Sequence, residues 1–197
     1  GDELSSDKDA PLLNRATLGR YPPDSALEPF SQALFGRTFI TVAQRIELYQ
    51  RLGFDLPPRA RIPAGEANSL GENMRVSPLQ MALATAAMSN DGVRPPARIA
   101  VAVKTPQQGW VVLPALDKPV EILPESDVHE ITQALAGENP YWSFTGAGDD
   151  TPLTWYLAGT LPDWSGTPLS LAILLEEDNS NLAEEIGKEL LDTALQP

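Results

Sequence analysis

Apolar spacing marks the helices first. Residues 25–35 carry Leu27, Phe30, Leu34 and Phe35 at the three- and four-residue intervals that gather side chains on one helix face. Residues 41–52 repeat the pattern with Val42, Ile46, Tyr49 and Leu52. Thr41 stands where an N-cap belongs, and Gly53 where a helix stops. The clearest helix opens at Ser77-Pro78, a cap followed by a proline at the first helical position. Its body, Leu79 to Met88, is mostly small or apolar, which suits close packing on a sheet or another helix, and Asn90-Asp91-Gly92 ends it. Residues 125–136 predict another helix, started by Pro124-Glu125-Ser126. Residues 180–195 predict a closing amphipathic helix with Leu182, Ile186, Leu190 and Leu191 on one face.

Other stretches read differently. Residues 11–23 look extended up to Pro22-Pro23. Residues 97–104, 110–113 and 120–123 predict strands around turns. Residues 153–161 and 168–175 are the strongest strands, and the second is apolar on both faces, which predicts a central place in its sheet. Residues 141–146 carry no decisive period. Nor do residues 54–76, which contain Pro57, Pro58, Pro63, Gly65 and Gly71; irregular connections of that length usually serve function or motion. Residues 1–10 are polar and predicted to fray. Helices, then strands, then a helix on the sheet predict an α+β fold: an antiparallel sheet flanked by helices, with residues 11–197 as a single domain.

Composition narrows the chemistry. A formal net charge of -13 over 197 residues opposes nucleic-acid binding and adsorption to an anionic membrane. The chain has no cysteine, which excludes thiol catalysis and thiolate metal sites. One histidine, His129, excludes a multi-histidine metal site and would have to serve any Ser-His-Asp arrangement alone. It lies beside Glu130 in the 125–136 helix and reads as a surface residue. No cofactor and no metal are expected. No apolar run approaches the ~18 residues of a membrane span.

Three stretches resemble the transpeptidase domain of penicillin-binding proteins. The first runs from Asn14-Arg-Ala-Thr to Tyr21-Pro-Pro-Asp-Ser25 and on to Pro29-Phe30; in the family a similar run leads into the active-site serine. The second is Arg51-Leu-Gly-Phe54 followed by Met74-Arg-Val-Ser-Pro-Leu-Gln80 and the helix to Asn90-Asp-Gly92. The third is Phe144-Thr-Gly146, with Thr154-Trp-Tyr-Leu-Ala-Gly159 and Leu169 to Leu175 after it, where the family has its Lys-Thr-Gly strand and the two strands that follow. The resemblance covers nearly the whole chain. It implies a transpeptidase-like α+β fold with most of the helical subdomain missing, because only Pro29 to Gln50 separates the serine helix from Arg51.

The family's acyl transfer requires a serine with a lysine three residues on, a Ser-x-Asn unit that holds that lysine, and a Lys-Thr-Gly strand that docks substrate. Here Ser25 matches the serine, Glu28 stands in the lysine position, no Ser-x-Asn triplet occurs, and Phe144 precedes Thr145-Gly146. The two lysine replacements shift the charge of that site by about three units. The degenerate positions are therefore Ser25, Glu28, Phe144, Thr145 and Gly146, and the resemblance implies a catalytically silent binding or scaffolding domain connected with peptidoglycan. The alternative is a serine acyl-transferase or hydrolase with a site rebuilt from Ser25 and Glu28. A third option is an auxiliary domain of a longer chain.

The same residues also have structural readings. Ser25-Ala-Leu-Glu28 fits a capping box, weakened by Pro29. Phe144 predicts a filled cleft beside the Thr145 strand. Ser5-Ser-Asp-Lys8 is a literal Ser-x-x-Lys in a polar tail without a scaffold. Trp110, Trp142, Trp155 and Trp164 read as core and turn anchors, with Trp142 and Trp164 partly exposed as a partner surface. Glu176-Glu-Asp178 reads as a solvated acidic run before a helix. The implied partners are another protein or a peptidoglycan-related ligand. The implied location is extracytoplasmic, with anchoring upstream of Gly1.

Overall fold

A computed structural model describes residues 14–71, 73–148 and 150–196 of the protein. The tail of residues 1–10, and with it Ser5 and Lys8, lies outside the described residues.

The centre is an antiparallel sheet of β5 (Tyr141–Ala147), β6 (Thr154–Thr160) and β7 (Ser170–Leu175), in that order. Phe144 pairs with Leu157, and Leu157 with Ala172. β6 is buried along its whole length, because strands flank it and helices cover both faces. β7 lies at the edge of this sheet, against the expectation of a central strand. Its apolar residues are half-buried by helices on both faces, so an edge strand needs no polar side here. The periodless residues 141–146 form β5: Trp142 turns into one layer, Tyr141 into the other.

One face packs on α4 (Pro78–Met88). There Trp142, Trp155 and Leu157 join Phe30, Met81 and Met88 in the larger core. The other face packs on α6 (Ser180–Ala194), where Tyr141, Tyr156 and Ala158 meet Ala183 and Leu191. The buried line of α6 is Ala183, Gly187 and Leu191 at four-residue spacing, while Leu182 and Leu190 are exposed. The sequence favoured the larger leucines. The rings of Tyr141 and Tyr156 fill the interlayer space, so small residues face them.

Local capping places the helices as the sequence predicts. Thr41 accepts from the Gln44 amide at 3.3 Å and the Gln44 side chain returns to the Thr41 amide at 3.1 Å, opening α3 (Val42–Leu52). Ser77 and Gln80 repeat the exchange at 3.2 and 3.0 Å at the head of α4. Each such cap is worth about 1 kcal/mol. Gln80 Nε2 also donates to the carbonyls of Phe54 and Leu56, tying the irregular 54–76 segment to α4. Asn68 holds the same segment from within, donating to Phe54 O at 2.9 Å and Arg75 O at 3.0 Å. α5 (Glu125–Ala136) follows its predicted bounds and packs on β5 and on the helix over Glu28–Phe35.

Elsewhere the elements shift. Of residues 11–23, predicted to be extended, 11–13 lie outside the described residues, Tyr21 bridges Val76, and Arg15–Leu18 instead form a helical turn, α1, closed by the Asn14 carbonyl. The 25–35 helix splits into a 3-10 turn, Asp24–Leu27, and α2 (Glu28–Phe35), where Pro29 sits in the first turn and supplies no amide donor. β1 (Val93–Arg94) pairs with β4 (Val120–Glu121). β2 (Ala102–Thr105) and β3 (Gly109–Val112) form a hairpin that is strand only from Ala102 onward. Trp110 on this hairpin is 72% exposed and anchors nothing. Trp142 is fully buried rather than part of a surface; its Nε1 donates to Ser89 Oγ at 2.9 Å.

Candidate functional site

Ser25 sits in the 3-10 turn that enters α2. Asp24 before it takes a left-handed φ of 40°, a conformation a non-glycine residue rarely adopts. The turn abuts the end of β5 at very close range: a Cβ on Gly146 would lie 2.6 Å from the Ala26 amide nitrogen, so only glycine allows this approach. The Ser25 hydroxyl then does what a neighbouring strand would do. It donates to Ala147 O at 3.0 Å and accepts from Ala147 N at 2.9 Å. The capping-box reading therefore fails: the serine oxygen is committed to a strand 122 residues away rather than to the helix amides.

Glu28 begins α2 one turn later. Its backbone N–H donates to the Ser25 carbonyl, and among the described residues no hydrogen bond joins its carboxylate to the Ser25 hydroxyl. Both line one open cavity of about 520 Å3, with Asp24, Arg45, Tyr49 and Arg75 on its other walls. Phe144, Thr145 and Gly146 are not part of that lining, so this cavity is not the cleft between the serine turn and the Thr145 strand that was predicted to be filled. Phe144 is half-buried on β5 opposite Leu157. Thr145 Oγ1 donates to Glu184 Oε1 at 2.8 Å, which turns it toward α6. Strand alternation sends Gly146 to the opposite side. Of the five motif positions, the structure brings Ser25 and Gly146 into contact and puts Ser25 and Glu28 on one cavity. Thr145 faces the other side of the sheet, and Phe144, on the Gly146 side, does not line that cavity.

The proton of Ser25 points to a peptide carbonyl, a neutral acceptor that is not a base. The Ala147 N–H, the donor that β5 offers at this point, is taken by the serine oxygen itself. Arg45 and Arg75 give the cavity positive charge against Asp24, Glu28 and Asp150. Sequence reasoning missed these wall residues. Arg45 and Tyr49 share a face of α3, a spacing that the helix alone explains.

At the same end of the sheet, just past β7, Tyr21 OH donates to Glu176 Oε1 at 2.5 Å, and Arg15 Nε lies 3.5 Å from the same carboxylate. Burial first, then the bond to Glu176, push the Tyr21 pKa up to about 12. The acidic run is thus more than a solvated face, and the cap of α6 is Asn179, which accepts from Leu182 N. His129 Nε2 lies 2.8 Å from Asp91 Oδ1. With Glu125 their donor atoms fall within 4.8 Å of one another, close enough to meet at a metal ion. The three are exposed or half-exposed, and Glu125 sits in the first turn of α5, where the helix dipole opposes a cation. Among the described residues no helix is long and apolar enough to cross a membrane.

No protein-family model matches the chain, and no curated protein matches it either. Solved structures do. Penicillin-binding protein A from M. tuberculosis, as its imipenem acyl-enzyme complex, superposes with a TM-score of 0.73 at 18% identity, over 99% of this chain and 64% of that one. Penicillin-binding protein 3 from the same organism gives 0.57 at 16%, over 77% and 46%. A peptidoglycan glycosyltransferase from Burkholderia ambifaria gives 0.61 at 13%, over 94% and 83%. At these identities the likeness establishes the fold, that of penicillin-binding protein transpeptidase domains. The chain spans less than two thirds of the length of penicillin-binding protein A. Between Ser25 and Arg51 it has only α2, a loop and most of α3.

Proposed function

We propose that the protein is a catalytically silent transpeptidase-like module that binds or scaffolds in peptidoglycan assembly outside the cytoplasm, tethered to the membrane by another part of its protein. The reading rests on the two-way bond between Ser25 and the Ala147 peptide. A serine nucleophile needs a base to take its proton. Here the proton goes to a carbonyl, and the residue one turn on is an acid whose carboxylate makes no bond to the serine hydroxyl. The open cavity supports binding without turnover, because Arg45 and Arg75 line it alongside acidic side chains. Intact-mass measurement after incubation with a fluorescent penicillin tests this. The expected result is an unmodified mass; a stoichiometric adduct on Ser25 overturns the proposal.

A second reading has one observation behind it: Ser25 and Glu28 share an open wall. On that reading Glu28 is the base, and turnover of an acyl-D-Ala-D-Ala or ester substrate is abolished by Ser25→Ala. Equal background rates for the two proteins exclude it.

A further inference from the structure

A second cavity, of about 280 Å3, opens between the 56–59 loop, α4 and the paired strands β1 and β4. It shares no lining residue with the serine cavity. Pro57, Pro58, Pro95 and Pro96 form much of its wall, with Leu56 and Leu83. Prolines fix their own backbone and carry no N–H, so these walls are stiff and offer no donor of their own. Leu56 is 61% exposed, leaving apolar surface at the mouth in contact with water.

The charged lining runs against the rest of the molecule. In a chain of net charge -13, this cavity has three cations, Arg59, Arg94 and Lys118, and one anion, Asp117. Arg59 and Asp117 pair with each other at 3.1 Å. Lys118 and Arg94 remain. The guanidinium of Arg94 lies flat on Gly53, where a Cβ would fall 2.2 Å from Nη1, so that glycine both ends α3 and seats the arginine. Its one hydrogen bond among the described residues is a long one, 3.4 Å to Leu52 O. A guanidinium has five N–H donors. Burial lowers the Arg94 pKa even though Asp117 and Asp55 act the other way, so the cation is desolvated as well as under-bonded. Such a group gains most from a bidentate anion.

We propose that this cavity binds a carboxylate carried on a small apolar group. Arg94 takes the carboxylate through paired N–H donors, Lys118 adds charge at the rim, and Leu56 and Leu83 cover the apolar part. The end of a peptide chain and a free small acid share this chemistry, and the volume admits about one residue. Sulfate or phosphate would satisfy the arginine but leave the leucines and prolines unused.

Titration calorimetry on the whole chain with N-acetylleucine, N-acetylleucinamide and acetyl-Gly-Gly-Leu tests the assignment. The acid is expected to bind at least tenfold more tightly than the amide. Arg94→Gln is expected to lose at least tenfold in affinity. Because Arg94 packs on Gly53, the exposed change Leu56→Glu serves as a second variant: it sets a carboxylate at the mouth, with the same expected loss and an unchanged melting temperature. Binding of the tripeptide as tight as that of N-acetylleucine identifies a chain end as the ligand, and binding of N-acetylleucine alone identifies a free acid. Equal binding of acid and amide, no binding of either at millimolar concentration, or full affinity in a folded Leu56→Glu protein overturns the proposal.

Discussion

Ser25 and Ala147 are bonded both ways: one hydroxyl serves both the N–H and the C=O of one residue. That arrangement gives the serine a structural task that can be measured apart from catalysis. Ser25→Ala leaves both backbone groups to solvent, and the expected loss is about 0.5–1 kcal/mol for bonds at an exposed seam. Urea unfolding checks it. A serine that served only as a nucleophile would leave the midpoint unchanged on replacement.

Glu28→Lys puts an ammonium one helical turn beyond Ser25. The expected outcome is still no covalent label from a fluorescent penicillin. The serine bond to Ala147 persists, Phe144 supplies no docking cation, and the sequence has no Ser-x-Asn unit. Labelling of the variant, read by gel fluorescence and mass, would show instead that Glu28 alone silences the site.

Tyr21 makes stability depend on pH at the alkaline end. Its pKa is about 12 in the fold against 10 for the free side chain. A raised pKa means that the folded state keeps the proton longer than the unfolded chain does. The contribution is therefore complete below pH 10 and is lost as pH rises through 12. Tyr49, Tyr141 and Tyr156 are also shifted upward, chiefly by burial. The informative quantity is thus the difference between wild type and Tyr21→Phe in denaturant unfolding, which should narrow across that window, with tyrosinate absorbance locating the titration.

Gly187 packs directly on the sheet, and a Cβ there would lie 2.1 Å from the Tyr156 ring. Gly187→Ala gains helix propensity of about 1 kcal/mol but overpacks the seam by about 1–3 kcal/mol. The ring is held in the smaller core by Tyr141 and Ala183, so overpacking should win. A lower melting temperature is expected, and a higher one would mean that the ring moves aside freely.

What the sequence made legible was local. The Thr41–Gln44 and Ser77–Gln80 exchanges lie within one helical turn, and both helices begin as predicted. Burial set by distant partners was not legible. β7 looked central because its residues are apolar on both sides, yet helices rather than a second strand cover them. Ser25 looked like a cap because Glu28 stands three residues on, while its real partner is Ala147. The second cavity lay hidden in proline-rich stretches that carry no periodic signal, and Arg94 meets Gly53 only through the fold.

The unequal exposure of the tryptophans gives the molecule two built-in optical probes. Trp110 on the β2–β3 hairpin stands in water, whereas Trp142 and Trp155 are fully enclosed in the large core. A soluble quencher therefore reaches Trp110, and in part the half-buried Trp164 of the β6–β7 loop, but not the two core tryptophans. Loosening of the hairpin alone would alter the quenchable fraction while the blue-edge signal stays constant. Global unfolding would move both together, so one unlabelled sample can distinguish motion of the hairpin from failure of the core.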